Sequence, residues 1–143
     1  MILELPHFPY HRDPVASGSI RQSDDSCECC GESRGLLYDG VVYSTSEVEN
    51  LCPWCIANGA AADKYGAEFF DAQFRDDEND VVELPEYFYR AVFGCTIGFS
   101  TYNPIGWWVH CSEPAEYVKR IEPYEMVFQC RKCAATHSID DYD

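Results

Sequence analysis

The chain has few basic residues. Its 143 residues include 10 lysines and arginines against 25 aspartates and glutamates, which gives a formal net charge of −15. Because a nucleic-acid-binding protein normally presents a basic face to the phosphates, this composition argues against direct binding of nucleic acid. An excess of acidic residues can instead keep a protein soluble or attract a cationic partner.

Long apolar segments are missing as well. No run approaches the roughly 18 consecutive apolar residues of a membrane-spanning helix, and the segment from Met1 to His7 lacks the basic and apolar parts of a signal peptide. We therefore expect a cytoplasmic protein that does not bind a membrane. Cytosolic thiols stay reduced, which favours metal binding over disulfides.

The sequence also lacks the usual catalytic patterns. It contains no HExxH, no GxSxG and no glycine-rich phosphate loop, so we expect no enzymatic activity. A hydrolase that used His110 and Cys111 is the weakest alternative, because side chains of adjacent residues rarely point together.

Cysteine, in contrast, is abundant, with nine residues. Cys27 and Cys30 form one CxxC pair, and Cys52 and Cys55 form a second pair, with 21 residues between the two. Two pairs at this spacing can complete a tetrahedral zinc site, which is usually structural. Buried free thiols and a redox motif are the alternatives.

The residues around these pairs predict a treble-clef-like fold. Gly31 can adopt the positive φ of a tight knuckle, and Asp39-Gly40 between two apolar runs predicts a hairpin of residues 36–38 with 41–43. Pro53 suits the first turn of a helix, which we expect to continue to Tyr65. The predicted class is α+β, a small zinc-stapled domain with a treble-clef-like N-terminal half and a second small β-rich lobe.

We predict a single domain over residues 1–143. It consists of an extended arm (1–26) whose aromatic residues pack on the core, a zinc-binding segment (27–66) and a C-terminal lobe (67–143). Within that lobe, residues 86–90 predict a short helical turn and residues 106–109 a buried aromatic strand. The acidic run is either a solvated loop or the contact for a basic partner, and its members are Asp76, Asp77, Glu78 and Asp80.

A second metal cluster is predicted in the C-terminal lobe. Cys130 and Cys133 form another CxxC pair, and Cys111 is the first choice for a third ligand. The fourth ligand is left open between Cys95, His110 and His137, since His110 would point away from Cys111 on a strand. We thus expect zinc at one site and consider a second zinc, with a buried thiol pair as the alternative.

The sequence resembles the CbrC family over about residues 5–133. The residues that carry the resemblance are Leu5 to His11, Asp13-Pro14, Ala16 to Ile20, Cys27 to Gly31, Leu51 to Ala57, Trp108 with His110-Cys111, and Cys130 with Cys133. Cys95 does not fit the family pattern, and Ala134 stands where glycine is more typical.

This resemblance implies a function. The family is linked to tolerance of a nuclease colicin and to immunity against bacterial toxins. We therefore expect a zinc-binding immunity protein that occludes a basic toxin domain, which we expect to be a nuclease. The alternative is a zinc-ribbon-like regulatory or adaptor module in a bacterial stress response.

Overall fold

Short strands and short helices follow one another along the chain. The computed structural model describes residues 5–70, 73–99, 101, 105–122 and 125–140. The strands are β1 (Ile20–Gln22), β2 (Leu36–Tyr38), β3 (Phe74–Arg75), β4 (Trp107–His110), β5 (Glu113–Pro114), β6 (Glu116–Ile121), β7 (Glu125–Gln129) and β8 (Thr136–Asp140), and the helices are α1 (Pro53–Ala57), α2 (Ala60–Tyr65) and α3 (Glu86–Tyr89), which runs into a π-helical turn (Arg90–Gly94). The predicted α+β class is confirmed, with a β-rich C-terminal lobe.

The hairpin predicted at Asp39-Gly40 is wrong. Strand β2 pairs antiparallel with β1, in a register that sets Ile20 opposite Tyr38. On its other side, the Tyr38 N–H donates to the carbonyl of Leu51, just before the second cysteine pair. Because both edges of β2 are occupied in this way, residues 41–43 pair elsewhere, and Tyr43 forms an antiparallel bridge with Glu68.

The predicted continuous helix is divided in two. Pro53 begins α1, as expected, but Gly59 has a φ of +82°, which an α-helix cannot include. The side chain of Asn58 accepts a hydrogen bond from the Ala60 N–H at 2.9 Å and so starts α2 afresh. Glycine at this position adopts the left-handed conformation without steric cost, and the chain turns between the two helices.

The C-terminal lobe contains two three-stranded sheets. In one, β4 pairs parallel with β3 and antiparallel with β5; in the other, β6, β7 and β8 form an antiparallel meander. The predicted helical turn at 86–90 and the predicted aromatic strand at 106–109 are both confirmed, and Trp107 on β4 is fully buried. Within the described ranges, no helix is long and apolar enough to cross a membrane.

The N-terminal arm contacts two separate apolar cores. Phe8 lies in the core that surrounds the first two cysteine pairs, whereas Tyr10 lies in the core of the C-terminal lobe. The prediction that the aromatic residues of the arm pack on the core is therefore confirmed. The arm is less extended than expected, because it contains β1 and a turn in which Asp13 Oδ1 accepts the Ala16 N–H at 3.0 Å.

His11 joins this arm to the remainder of the protein. It is 1% exposed, its Nδ1–H donates to the carbonyl of Ile97 at 2.7 Å, and its Nε2 lies 2.7 Å from the hydroxyl of Ser17. The ring also packs edge-on against Tyr117 on β6, with 5.0 Å between centroids. Burial lowers the pKa of His11 to about 4 despite the bond to Ile97, so the ring is neutral near pH 7.

Candidate metal centres

The first two cysteine pairs come together in the N-terminal half. The Sγ atoms of Cys27, Cys30, Cys52 and Cys55 all lie within 4.8 Å of one another. Two of the sulfur pairs, Cys27 with Cys55 and Cys30 with Cys52, are each 3.9 Å apart. A tetrahedron with zinc–sulfur bonds of about 2.3 Å has edges of about 3.8 Å, so the four sulfurs already stand close to zinc geometry.

A tight knuckle presents the first pair. The Cys27 N–H donates to the Glu32 carbonyl at 2.9 Å, and the Gly31 N–H donates back to the Cys27 carbonyl at 2.8 Å. This turn requires the positive φ of Gly31, which is +77°. The N–H groups of Cys29 and Cys52 both point at the Cys27 sulfur, each at 3.3 Å, and hydrogen bonds of this kind stabilise a thiolate.

Glu28 holds the knuckle against the segment that leads to the second pair. One of its carboxylate oxygens accepts the N–H groups of Asn50 and Glu49, at 2.9 and 2.8 Å. These backbone bonds lower the pKa of Glu28. The Glu28 N–H in turn donates to the carbonyl of Asn50 at 2.7 Å. The two halves of the sulfur tetrahedron are therefore connected by backbone before any metal binds.

The pKa values of Cys27, Cys52 and Cys55 are shifted in different directions. Burial raises the pKa of Cys27, but backbone N–H bonds from Cys30, Cys52 and Cys29 outweigh it and lower the pKa to about 7. Burial, together with the charge of Cys27, raises the pKa of Cys52 to about 11, and burial also raises the pKa of Cys55. A raised pKa disfavours the thiolate form that binds metal. A divalent cation overcomes this effect, because coordinated thiols lose their protons.

The second cluster contains His110, Cys111, Cys130 and Cys133, whose ligand atoms also lie within 4.8 Å of one another. The sequence left the fourth ligand open, and the structure brings His110 to this place. His110 and Cys111 would point apart on a continuous strand, and the structure has the turn that their joint binding requires, since Cys111 and Ser112 have φ values of 54° and 64°. Cys111 and Ser112 form the tight loop between β4 and β5. His110 is therefore the last residue of β4, and Cys111 is the first residue of the loop.

The other two candidates for the fourth ligand lie outside this cluster. Cys95 follows the π-helical turn, and its pKa is raised by burial and affected by the charges of Arg90 and Asp63. His137 on β8 stacks on Trp108, with 4.9 Å between ring centroids.

The knuckle of the second cluster repeats that of the first. The Cys130 N–H donates to the Ala135 carbonyl at 2.8 Å, and the Ala134 N–H donates to the Cys130 carbonyl at 3.1 Å. The Lys132 N–H lies 3.4 Å from the Cys130 sulfur. Ala134 occupies the place of Gly31 and has a φ of 65°. In the second cluster, backbone bonds from Cys133 and Lys132 outweigh burial and lower the pKa of Cys130.

The thiol of Cys111 behaves differently. Its contacts with the sulfurs of Cys130 and Cys133 raise its pKa to about 11. As in the first cluster, the pKa of one cysteine is lowered and the pKa of another is raised.

Asp77 supports His110 from outside the cluster. Its Oδ1 accepts the indole N–H of Trp108 at 2.6 Å and lies 3.4 Å from His110 Nδ1. These contacts, the indole first, lower the pKa of Asp77. Trp108 also stacks on His110, with 4.8 Å between ring centroids. A carboxylate that bonds one imidazole nitrogen orients the other nitrogen toward a metal.

The sequence did not predict this supporting role of Asp77. It is 31 residues from Trp108 and 33 from His110, so no local spacing connects them. The acidic run lies in the loop after β3, where Asp76 Oδ1 accepts the N–H groups of Glu78 and Asp80, each at 3.0 Å. A contact of this run with a partner stays a prediction.

The family described as "Uncharacterised protein family (UPF0167)" matches residues 5–142. The chain belongs to the UPF0167 family. It is 39% identical over 115 residues to a UPF0167 protein of Pseudomonas aeruginosa, covering 79% of this chain and 62% of that protein. It is 38% identical over 116 residues to UPF0167 proteins of Mycobacterium bovis and Mycobacterium tuberculosis, covering 80% of this chain and 60% of each.

The chain thus spans about three fifths of the length of these curated UPF0167 relatives. No solved structure matches it.

Both clusters of this UPF0167 chain are compatible with zinc. One supplies four cysteines and the other supplies three cysteines and one histidine, and both sets are found in structural zinc sites. Zinc held in this way would connect distant segments, since Cys27 and Cys55 are 28 residues apart and His110 and Cys130 are 20 apart. Each cluster already offers four protein ligands, which is the number that a structural zinc site uses.

Proposed function

We propose that this protein is a cytoplasmic, non-enzymatic zinc protein that binds and neutralises a basic toxin domain. The observation that carries the proposal is the combination of two four-ligand clusters with a net charge of −15. A catalytic zinc normally keeps one position open for water or substrate. Two complete ligand sets therefore favour a structural role for the metal and leave binding as the function.

Charge favours a cationic partner. A nuclease must be positive around its substrate cleft, because it holds phosphates. An acidic protein is attracted to such a cleft, and opposite charges accelerate the encounter. Zinc would keep the acidic surface rigid, which reduces the entropy lost on binding. The proposed mechanism is stoichiometric occlusion of the toxin, with a nuclease as the expected target.

The resemblance to the CbrC family supports the same proposal. That family is linked to tolerance of a nuclease colicin, and its members are suspected immunity proteins. The resemblance covers the segments around both clusters, including Cys27 to Gly31, Leu51 to Ala57 and Cys130 with Cys133. We propose that the functional link extends to this chain.

The test is protection against a toxin encoded beside the gene of this protein. Co-expression should rescue cells, and inhibition of the purified toxin should saturate at a fixed molar ratio. Cys52→Ser, which removes a ligand of the first cluster, should abolish both effects. Loss of toxin activity that continues under sub-stoichiometric amounts of the protein would indicate an enzyme instead.

A regulatory or adaptor module is the second candidate. It is favoured by the C-terminal lobe, where the loop between β4 and β5 and the knuckle between β7 and β8 both contribute ligands, as in zinc ribbons. In that case the protein should bind a component of a stress-response system encoded nearby and should protect cells from no toxin.

A further inference from the structure

We propose that the groove beside the second cluster is the surface that receives an arginine- or lysine-bearing segment of the partner protein. This inference rests on the proposed function, and it adds the contact face that the sequence could not identify. The groove has a volume of about 790 Å³, which is within the range of pockets that hold ligands and is large enough for more than one side chain.

Acidic side chains form one part of the groove. Five carboxylates and a single lysine line it. Asp77 is engaged by Trp108 and His110, and Glu113 lies 3.9 Å from the lysine, Lys132. Glu78 and Glu83 have no ion-pair partner among the residues that the structure describes. These two carboxylates are therefore available to a cation from outside.

Apolar side chains form the other part. Leu84 and Val109 line the groove together with Phe88, and Tyr87 stands at its side with 65% of its surface exposed. The rings of Tyr87 and Phe88 are 4.3 Å apart, tilted by 40°. Aromatic faces attract cations and also pack on the aliphatic part of arginine and lysine side chains. Exposed aromatic residues beside free carboxylates suit these two side chains.

Charge identifies the class of occupant. A second copy of this chain, a nucleic acid or an anionic membrane would each bring negative charge toward a protein of net charge −15. A positively charged protein segment brings the opposite charge and an apolar stem. The groove is also built on elements that zinc would fix, because His110 and Cys111 line it and belong to the second cluster.

The first experiment uses a defined probe. We would titrate the zinc-loaded protein with the peptide acetyl-Gly-Arg-Gly-Arg-Gly-amide and record amide chemical shifts by NMR. The largest changes should fall on residues 78, 83, 87 and 109. The same peptide with citrulline in place of both arginines keeps the shape but loses the charge, and it should not bind. Largest changes on another face would overturn the inference.

Matched variants test the carboxylates. Glu78→Gln with Glu83→Gln should weaken peptide binding about fivefold, as expected for two exposed ion pairs. Glu47→Gln with Glu49→Gln removes the same charge from exposed residues of the N-terminal half and should change the affinity less than twofold. Unchanged zinc content would show that both variants fold. Equal weakening by both pairs would mean that net charge alone attracts the peptide, which contradicts a defined groove.

A third variant separates a protein segment from a small cation. Tyr87→Ser should weaken peptide binding more than spermine binding, because the planar guanidinium of arginine stacks on an aromatic ring and an ammonium group does not. Spermine that binds the groove as tightly as the peptide, with no effect of Tyr87→Ser on either ligand, would replace the inference with a polyamine site.

The outcome also separates this inference from the proposed function. If the peptide occupies the groove but the protein protects against no toxin, the toxin proposal is wrong and the groove stands. If the protein neutralises a toxin and Glu78→Gln with Glu83→Gln neutralises it equally well, the groove is not the contact face.

Discussion

Each cysteine knuckle ends on a residue in the left-handed region, and the two residues differ. Gly31 follows Cys30 with a φ of +77°, whereas Ala134 follows Cys133 with a φ of 65°. The left-handed conformation costs an alanine about 1–2 kcal/mol. The backbone bonds of the two knuckles match, so the second cluster keeps its geometry despite this strain.

Replacing Ala134 by glycine should therefore stabilise the protein. Glycine removes the strain but adds about 0.5–1 kcal/mol of chain entropy to the unfolded state, so we expect a net gain of about 0.5–1 kcal/mol in the free energy of unfolding. The reverse change, Gly31→Ala, meets no atom within 4 Å and should destabilise by a similar amount. Urea unfolding of the zinc-loaded proteins measures both.

The neighbouring change Ala135→Gly is the control. Ala135 is not among the residues with positive φ, and it packs against the core of the C-terminal lobe. Glycine there therefore brings the entropy cost and loses this contact without relieving strain, so it should lower the stability. A gain from Ala135→Gly as large as that from Ala134→Gly would contradict the strain argument.

His11 should make stability depend on pH in mildly acidic solution. Burial lowers its pKa in the folded protein from 6.5 to about 4, so between these values the unfolded chain binds more protons than the folded one. Stability is then complete above pH 6.5 and falls as the pH decreases toward 4. A difference of this size corresponds to roughly 3 kcal/mol.

The measurement is the urea midpoint between pH 7 and 5, in wild type and in His11→Asn. The asparagine can still donate to the Ile97 carbonyl, although the His11→Asn protein will be less stable than wild type at pH 7. Both proteins lose zinc affinity in acid as thiolates are protonated, so the difference between the two slopes isolates His11. Parallel slopes would show that His11 does not titrate as described.

At the scale of the elements, the two knuckles organise the chain more strongly than the helices do. The first knuckle lies between β1 and β2, and the second lies between β7 and β8. In both, a short antiparallel pair carries the turn that presents two sulfurs. Helix α1, which bears Cys55, has only five residues and is too short to be stable alone. We infer that metal and backbone contacts stabilise it.

Zinc content should report the two clusters separately. Native protein should hold two zinc ions, one for each cluster. Cys130→Ser with Cys133→Ser should leave one zinc and an intact N-terminal half. Cys52→Ser should unfold at least the N-terminal half, since zinc-finger peptides gain roughly 10–16 kcal/mol from the metal, which exceeds or matches a typical domain stability of about 5–15 kcal/mol.

Elemental analysis after purification without chelators, together with circular dichroism, is the measurement. A Cys130→Ser, Cys133→Ser protein with the zinc content of wild type would mean that the second cluster holds only thiols. Native protein without zinc would show that neither cluster is a zinc site.

Residue spacing predicted what is local and missed what is distant. The sequence was sufficient to predict the first two cysteine pairs, the role of the glycine after Cys30 and the proline of α1, because each depends on neighbours within a few residues. The partner of β2 could not be predicted from local spacing, since β1 precedes the knuckle in the sequence and Leu51 occupies the other edge of β2. Asp77 was missed for the same reason, because only the parallel pairing of β3 with β4 brings its loop to Trp108.

At the scale of the whole molecule, two apolar cores each lie beside one cluster. Cys27, Cys52 and Cys55 belong to the first core, and Cys130 belongs to the second. The arm connects the cores through Phe8 and Tyr10, with the buried His11 next to them. The arm therefore packs against both cores, while each cluster has its own set of four ligands.

Net charge should govern how fast the proposed partner associates. With −15 on this protein and positive charge on a toxin domain, long-range attraction operates over the Debye length, about 30 Å at 0.01 M salt and about 8 Å at 0.15 M. Raising the salt between these concentrations should therefore slow association much more than it speeds dissociation. Stopped-flow fluorescence or surface plasmon resonance with the toxin encoded beside the gene measures both rates.

Neutralising part of the acidic run tests which carboxylates accelerate the association. The Asp76 N–H donates to the Asp80 carbonyl and the Asp76 carboxylate accepts the Asp80 N–H, each at 3.0 Å. Glu78 also lines the groove, but its carboxylate has no ion-pair partner among the residues that the structure describes. Glu78→Gln should therefore slow association and reduce its dependence on salt, and Glu47→Gln in the N-terminal half should have the smaller effect. An association rate that does not change with salt would show that the negative charge serves solubility and does not steer a partner.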